Sequence, residues 1–365
     1  MNRAPILIMA GGTGGHVYPA LAIADALLSR GQPVVWLGTQ HGLESRVVVA
    51  QGIPIEWLRV SGLRRRGLLG WLLAPFSVGF AVMRAVSVIR RVRPRLVLGM
   101  GGYVSGPGGV AAKLMRTPLI IHEQNAAAGL TNRLLSRIAT RVLVAFSGAI
   151  PGAHQVGNPV RADIRAIAPP ATRFEGREGP LRLLVVGGSQ GALALNRWVA
   201  PAVNRLIERG IDFEIRHQAG PATLETAQDS YAGLRIRAEV TAYIDDMAQA
   251  LAWADLIVCR AGALTVSEVI NVGLAAVFVP LPTAVDDHQT RNAQSLVDTD
   301  AAVCLQQPGM DDAMLSDAIA DLGLSRERLL ERAQRARALR GADAVASVIG
   351  ECAEVLSDPT LEAAA

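Results

Sequence analysis

Two glycine-rich segments hold the residues of this sequence that are best suited to bind an anion. In GGTGGH, residues 11–16, four glycines surround Thr13, and His16 follows directly. In RAGALTVSE, residues 260–268, small residues lead into an apolar run that contains Glu268. Backbone amides at a glycine turn before a helix can bind phosphate, because no side chain obstructs the approach and the helix dipole favours negative charge. A merely tight turn would need the same glycines, so each loop by itself leaves both interpretations open.

Ionisable side chains beside these segments suggest further chemistry. An imidazole ordinarily titrates near neutrality, so His16 is the leading candidate for a general base, with phosphate binding or helix capping as the alternatives. His122 and Glu123, in the segment IIHEQN, are rival bases. Glu268 lies about one helical turn beyond the amides at 263–265, where a carboxylate can accept hydrogen bonds from both hydroxyls of a ribose. An ordinary surface position is the alternative for Glu268.

The sequence lacks the fingerprints of other phosphate ligands. The dinucleotide-binding fingerprint GxGxxG is not met, because Gly12 and Gly14 are followed by Val17 at the position of the last glycine. The segment VVWLGTQ also ends without the acidic residue that would hold a ribose. With Lys113 as the only lysine and no GxxxxGK[ST] sequence, a P-loop nucleotidase is excluded. The DxD formed by Asp298 and Asp300 ends a helix-like run, where a chance match is the better interpretation. We expect no metal and no cofactor.

Strands and helices must position these loops, and the sequence shows one arrangement three times. Apolar runs enter glycine-rich turns in PILIMAGGTGGH, RLVLGMGGYVSGPGG and LRLLVVGGSQGA. The first and third turns lead into long amphipathic runs that each end in glycine. Abundant Gly, Ala, Val and Leu, with only 4% aromatic residues, fit parallel sheets covered by helices. We therefore expect an α/β protein with two doubly wound halves.

The length of 365 residues, of which 50% are hydrophobic, fits two domains with separate cores. The segment 158–180 is rich in proline, alanine and charge, which is typical of a linker. We place the N-terminal domain at 1–160 and the C-terminal domain at 161–365. The helical tail from about residue 311 is expected to pack on the second domain or to return to the first. The three cysteines are far apart, so we expect a reducing cytoplasm and no disulfide.

Basic residues are concentrated in one part of the chain, since no Asp or Glu occurs between positions 56 and 123. Within it, the segment 63–84 contains an uncharged apolar stretch, residues 67–83, between Arg64–Arg66 and Arg84. This stretch is too short and too rich in glycine to span a membrane. We expect it to lie at an anionic membrane surface, with burial in the domain core as the alternative for part of it. The side chains expected among acyl chains include Leu69, Leu72, Leu73 and Phe76.

Seven blocks of the sequence together resemble the MurG family, bacterial N-acetylglucosaminyltransferases that convert lipid I to lipid II in peptidoglycan synthesis. They are GGTGGHVYPALAIADAL, GMGGYVSGPGG, HEQNAAAGLTNRLLSRIA, VGNPVR, VVGGSQGALALN, YIDDM and RAGALTVSEV. The resemblance implies the GT-B fold, with two Rossmann-like domains facing each other across a cleft. It implies that the donor UDP-GlcNAc binds in the C-terminal domain. The acceptor, undecaprenyl-pyrophosphoryl-MurNAc-pentapeptide (lipid I), would bind in the N-terminal domain.

The resemblance also implies roles for single residues. The backbone of Ile244 would pair with the uracil, Arg161 would lie near the base, and Gln289 would contact the sugar. Acceptor contacts would come from Thr13, Gly14, Gly15 and Asn125, beside His16. Contacts with the diphosphate and ribose would come from Ser189, Ala263, Leu264, Thr265, Val266, Ser267 and Glu268.

The expected reaction is one in-line displacement that inverts the anomeric carbon, with one base and one stabilised leaving group. A GT-B transferase with another lipid or natural-product acceptor, a nucleotide-sugar epimerase and a nucleotide-sugar sensor are the alternatives. The acceptor-side blocks argue against the first of these. We expect a peripheral protein at the cytoplasmic face of the bacterial cell membrane. Proteins of cell-wall synthesis and division are candidate partners, and nucleic acid is not.

Overall fold

The structure, a computed structural model, describes residues 3–59, 74–188 and 190–362. The chain divides into two compact units, one made of Met1–Arg161 with Gly341–Ala365 and one made of Ala162–Arg340. Several predicted residues lie outside the described part of the chain. They are Ser189 of the donor site and, in the predicted membrane segment, Arg64–Arg66, Leu69, Leu72 and Leu73.

The first unit is built on a sheet of seven parallel strands. These are β1 (Ile6–Met9), β2 (Val34–Gly38), β3 (Ile55–Trp57), β4 (Leu96–Gly99), β5 (Leu119–Glu123), β6 (Arg141–Val144) and β7 (His154–Gln155). Their order across the sheet is β3-β2-β1-β4-β5-β6-β7. The α-helices of this unit are Gly14–Ser29, Glu44–Ala50, Ala74–Val92, Ser105–Leu114, Leu130–Leu135 and Ala344–Leu356, and Pro359–Leu361 is a 3₁₀ turn.

Both faces of this first sheet are buried, which explains why its central strands are continuous apolar runs. Ile6 and Ile8 pack with the helices Gly14–Ser29 and Ala344–Leu356. Leu7 and Met9 point to the other face, which the helices Ala74–Val92, Ser105–Leu114 and Leu130–Leu135 cover. The helix closest to the C-terminus therefore belongs to the core of the first unit.

The second unit has six parallel strands, in the order β10-β9-β8-β11-β12-β13 once they are numbered along the chain. They are β8 (Leu181–Val186), β9 (Phe213–Gln218), β10 (Arg237–Thr241), β11 (Leu256–Cys259), β12 (Ala275–Phe278) and β13 (Ala302–Cys304). The α-helices are Ala162–Arg165, Pro170–Phe174, Leu193–Glu208, Leu224–Tyr231, Met247–Trp253, Ala263–Val272, His288–Asp298, Asp312–Ala320 and Arg326–Ala338. Pro221–Thr223 and Val285–Asp287 are 3₁₀ turns.

The segment 158–180, predicted as a linker, is instead packed into the second unit over part of its length. Arg173 is buried and donates hydrogen bonds to four carbonyls, including those of Ala168 at 3.2 Å and Ala254 at 3.3 Å. Desolvation by burial is the main cause that lowers the pKa of Arg173 to about 10. The composition of the segment 158–180 resembles that of a linker. It does not reveal the contacts that anchor the segment, because these are made with residues far away in the sequence.

The order of strands reverses at the same place in both sheets, between the first and the fourth strand of each. This switch point lies between β1 and β4 in the first unit and between β8 and β11 in the second. Open parallel sheets bind ligands at the carboxyl ends of the strands beside such a point. Three of the four adjoining loops are the glycine-rich segments of the sequence, and the fourth is the small-residue turn at 260–262. The predicted α/β class with two Rossmann-like domains is confirmed.

Candidate functional site

The loop after β1 ends at an open helix start, which is a helix N-terminus without a side-chain capping hydrogen bond. Thr13 is the N-cap of the helix Gly14–Ser29 in an extended conformation, and its side chain makes no capping hydrogen bond. The helix's own bonds begin where His16 and Val17 donate their amides to the Thr13 carbonyl, at 3.1 and 3.2 Å. The amides of Gly14 and Gly15 therefore lie at the positive end of a 16-residue helix whose first turn has no acidic residue. This end can bind an anion.

The second glycine motif, GMGGYVSGPGG, lets the loop after β4 contact the loop after β1. Gly101 and Gly102 have φ values of +100° and +85°, which side chains rarely adopt. A Cβ on Gly102 would overlap the carbonyl oxygen of Gly11, and a Cβ on Gly101 would overlap the ring of His16. The His16 imidazole therefore lies directly against glycine backbone at the switch point.

A buried carboxylate that the sequence analysis missed supports the first loop. Glu44 is fully buried and accepts hydrogen bonds from the Gly12 amide at 2.9 Å and from the amide and hydroxyl of Thr39 at 2.8 and 2.7 Å. A Cβ at Gly38 or Gly42 would overlap the Glu44 side chain. The signal in the sequence is one acidic residue shortly after β2 that follows two closely spaced glycines, Gly38 and Gly42.

His122 and Glu123, the two other candidates for the base, are both buried and hydrogen-bonded in the structure. The Glu123 carboxylate is 3% exposed and accepts hydrogen bonds from the Asn125 amide, the Asn125 side chain, the Gly129 amide and Asn132, all between 2.9 and 3.1 Å. His122 is fully buried with Nε2 2.9 Å from the Gly157 carbonyl, and desolvation lowers its pKa. Glu123 thus orients Asn125, and His122 is a neutral core histidine.

The loop after β11 leads into a second open helix start. Gly262 is the N-cap of the helix Ala263–Val272, again without a side-chain cap or an acidic residue in the first turn. The helix's own hydrogen bonds begin with the Val266 amide, which donates to the Gly262 carbonyl at 2.9 Å. The amides of Ala263, Leu264 and Thr265 therefore lie at the positive end of this helix.

The side chains along this second helix divide between the interior and the surface. Val266 is buried, and the buried Ser267 hydroxyl donates to the Ala263 carbonyl at 2.8 Å, so both side chains belong to the interior of the unit. Glu268 is half-buried. The pKa of Cys259 at the end of β11 is raised mainly by burial and further by the Glu268 charge, so the Glu268 carboxylate lies near that strand end.

The other predicted donor residues lie outside this helix, with Ile244 on a loop, Gln289 in the helix His288–Asp298 and Arg161 at the end of the first unit's main segment. The Ile244 amide donates to the Gln218 side chain at 3.0 Å. Gln289 accepts from the Leu281 amide at 2.9 Å. Arg161, the last residue of the first unit's main segment, holds its guanidinium carbon 5.4 Å from the centre of the Tyr18 ring.

A buried polar network lies beneath the loop after β8. The Asn196 side-chain nitrogen donates to the carbonyls of Ala219 and Thr223 at 2.9 and 3.1 Å, so its oxygen, 3.0 Å from His217 Nε2, must be the acceptor. Tyr231 then donates to His217 Nδ1 across 3.1 Å. Burial raises the pKa of Tyr231, and desolvation lowers that of His217 to about 4. The network is neutral and fixes the turn against which Gly191 packs.

Comparison with known proteins agrees with this arrangement. The glycosyltransferase family 28 N-terminal domain matches residues 6–144, and the corresponding C-terminal domain matches residues 182–348. A protein of Alkalilimnicola ehrlichii, called "UDP-N-acetylglucosamine--N-acetylmuramyl-(pentapeptide) pyrophosphoryl-undecaprenol N-acetylglucosamine transferase", is 55% identical over 96% of this chain and 98% of its own length. A protein of the same name from Aeromonas hydrophila is 51% identical over 95% of this chain and 96% of its own length.

A solved structure described as Acinetobacter baumannii MurG is 41% identical, covers 96% of this chain and 100% of its own, and gives a TM-score of 0.83. The two Rossmann-like domains together with these matches define a glycosyltransferase of the GT-B fold. The chain belongs to glycosyltransferase family 28 and, within it, to the MurG family. The resemblance drawn from the seven sequence blocks is confirmed.

We predict that Gly102→Ala destabilises the first unit at the contact between the loops after β1 and β4. The added Cβ has to displace the Gly11 backbone, and φ is unfavourable, so the loss of unfolding free energy should be about 3 kcal/mol. Gly148→Ala is the matched control, because Gly148 has φ +78° with no atom within 4 Å of an added Cβ. The control should lose about 1 kcal/mol. Urea unfolding measures both, and equal losses would contradict the proposed backbone contact.

We also predict that His217 makes the stability of the second unit depend on pH. Its folded-state pKa is about 4, below the ordinary value of 6.5, so the unfolded chain binds more protons between these values. Stability should be constant above this window and fall as pH decreases through it, by roughly 3 kcal/mol in total. Urea unfolding at pH 7.5 and pH 4.5 should show a smaller loss for His217→Gln than for wild type. A loss of the same size in the variant would contradict the assignment.

Proposed function

We propose that this protein transfers N-acetylglucosamine from UDP-GlcNAc to the C4 hydroxyl of MurNAc in lipid I, which yields lipid II for peptidoglycan synthesis. The observation that carries the proposal is the pair of open helix starts, one at each switch point. Both substrates contain a diphosphate, so the reaction needs two anion-binding sites. The full-length identity to enzymes of this name supports the same reaction.

On this proposal the second unit binds the donor. The amides of Ala263, Leu264 and Thr265 face the diphosphate, where the helix dipole offsets the negative charge that UDP gains as it leaves. Glu268 accepts hydrogen bonds from the ribose, and Gln289 contacts the sugar. Ser189 completes the predicted contacts with the diphosphate, and the backbone of Ile244 faces the uracil. The contact of Arg161, a residue of the first unit, with the base stays a prediction.

The first unit binds the acceptor in the same proposal. The loop Thr13 to Gly15 receives the acceptor diphosphate, and Asn125, oriented by Glu123, approaches the reacting sugar. His16 is half-buried beside this loop and removes the proton of the attacking hydroxyl. His122 and Glu123 are almost fully buried, whereas His16 is only half-buried, and this difference in exposure favours His16 among the three candidates.

We further propose that one face of the first unit docks on an anionic membrane, as a lipid-linked acceptor requires. The helices Ala74–Val92, Ser105–Leu114 and Leu130–Leu135 cover the same side of the sheet. Their outer surfaces expose apolar side chains one helical turn apart, such as Phe76 and Phe80, which are 76% and 60% exposed. The other exposed apolar residues of these helices include Val78, Met83, Val110, Leu114, Leu130 and Leu134.

Basic residues accompany this apolar surface. The Arg84 guanidinium lies 4.7 Å from the centre of the Phe80 ring, and Lys113 and Arg116 line a concavity of about 420 Å³. Such cations attract anionic head groups while the apolar side chains enter the acyl region. Among the residues that the structure describes, none of the helices has the length and apolar character needed to cross a bilayer. An interaction with proteins of cell-wall synthesis and division stays a prediction.

The first test is UDP release from UDP-GlcNAc with and without a short-chain lipid I analogue, in detergent and without added divalent metal. The wild-type protein should release UDP only when the acceptor is present. His16→Ala should lower turnover by about a hundredfold or more and remove the acid limb of the pH–rate profile, since a general base contributes that much. Near-normal turnover with an unchanged profile would exclude His16 as the base. UDP-GlcNAc binding without UDP release in the presence of this acceptor would favour another lipid acceptor or an epimerase.

The membrane surface is tested with the double variant Phe76→Ser, Phe80→Ser and sedimentation with phosphatidylglycerol vesicles. Loss of two exposed aromatic side chains that would enter the acyl region should weaken binding by about tenfold or more. The control is Leu28→Ser, Val49→Ser, which removes exposed apolar side chains from the helices Gly14–Ser29 and Glu44–Ala50. Control binding should equal that of the wild type and should weaken at high salt. Equal losses of vesicle binding in both variants would contradict the assignment of this face as the membrane-docking surface.

A further inference from the structure

Gln218 connects two loops of the donor unit through its side chain. It is the last residue of β9 and is 2% exposed. Its carboxamide nitrogen donates to the Gly188 carbonyl at 3.1 Å, and its oxygen accepts from the Ile244 amide at 3.0 Å. β9 lies between β8 and β10 in the sheet, so this one carboxamide joins the loop after β8 to the loop after β10.

Chemistry fixes the orientation of this carboxamide. A backbone carbonyl can only accept a hydrogen bond and a backbone amide can only donate one, so the nitrogen of Gln218 must face Gly188 and its oxygen must face Ile244. The main chain of the same residue reinforces the connection, because its carbonyl accepts from the Gly187 amide at 3.3 Å. Next to it, the Ala219 and Gly220 amides donate to the carbonyls of Thr241 and Ala242 at 2.8 and 3.0 Å.

The bond to Ile244 determines which backbone group faces a base. With its amide directed at Gln218, Ile244 can present its carbonyl, which accepts hydrogen bonds but cannot donate them. Uracil carries a hydrogen on N3, whereas N3 of cytosine is itself an acceptor. A fixed carbonyl therefore attracts the first base and repels the second.

We propose that Gln218 is a positioning residue that determines nucleotide specificity, because it holds the Ile244 carbonyl towards the base and ties that loop to the loop after β8. The proposal rests on the proposed function, in which the backbone of Ile244 faces uracil. Gln218 itself does not touch the nucleotide. Its contribution appears as affinity for uridine nucleotides and as discrimination against cytidine nucleotides.

Two substitutions separate this role from simple packing. Gln218→Met keeps the approximate volume but removes both hydrogen bonds. Gln218→Glu keeps an acceptor for the Ile244 amide but places a second acceptor against the Gly188 carbonyl, unless the carboxyl is protonated. A protonated carboxyl reproduces the donor and acceptor arrangement of the carboxamide, so low pH should rescue this variant.

The measurement is calorimetric binding of UDP and of CDP, together with steady-state kinetics. Gln218→Met should weaken UDP binding and raise the KM for UDP-GlcNAc by about tenfold, with a smaller loss for CDP, so that the UDP/CDP preference decreases. The kcat and the KM for the acceptor should change by less than about twofold. For Gln218→Glu, UDP binding should improve as pH is lowered from 8 to 5.5, relative to wild type at each pH.

Gln32→Met is the matched control. Gln32 is also buried, and its carboxamide nitrogen donates to the carbonyls of Ala4 and Pro33 at 2.9 and 3.1 Å, in the first unit. This variant loses comparable bonds and should leave nucleotide binding unchanged.

An unchanged UDP/CDP preference in Gln218→Met, or the absence of rescue at low pH in Gln218→Glu, would overturn the proposal. If Gln218→Met does not fold, the pH dependence of Gln218→Glu decides alone. Binding needs no acceptor, so these outcomes are distinct from failure of the transfer reaction, which wild-type UDP release reports.

Discussion

Close contact between backbone segments, without an intervening side chain, is the constraint on which both sites depend. In the first unit Gly102 lies against the Gly11 carbonyl, and in the second Gly220 lies against the backbone of Gly191. These contacts bring neighbouring loops together at the carboxyl ends of the strands, where open helix starts can face a ligand. Any side chain at such a glycine would separate the loops and move the backbone amides at their ends.

Buried polar side chains hold these bare loops in place. Glu44 binds the amide of Gly12, Glu123 binds the segment from Asn125 to Asn132, and Gln218 connects two loops of the second unit. Each is almost fully buried, so leaving its partners unsatisfied would be costly. Residue type alone is a poor guide to chemistry here, because His122 and Glu123 look like bases in the sequence but serve the interior of the fold.

Much of the architecture could be predicted because its signals are local. Apolar runs that enter glycine turns predict parallel strands with open helix starts, and the GGTGGH and RAGALT loops do follow β1 and β11. The supports of the site could not be predicted, because Glu44 and Gln218 are defined by partners that lie far away in sequence or on another strand. The prediction of a linker at 158–180 fails for the same reason, since three of the four carbonyls around Arg173 come from residues about eighty to one hundred positions later.

The helix Ala344–Leu356 packs in the core of the first unit, so the second unit is an insertion within the first. Arg3 and Thr360, near the two ends of the chain, are joined by a hydrogen bond of 2.8 Å. During synthesis the inserted unit emerges complete from the ribosome while the first unit still lacks its last helix. The first unit therefore exposes an apolar sheet face until residues 344–356, which follow the whole second unit, have emerged from the ribosome.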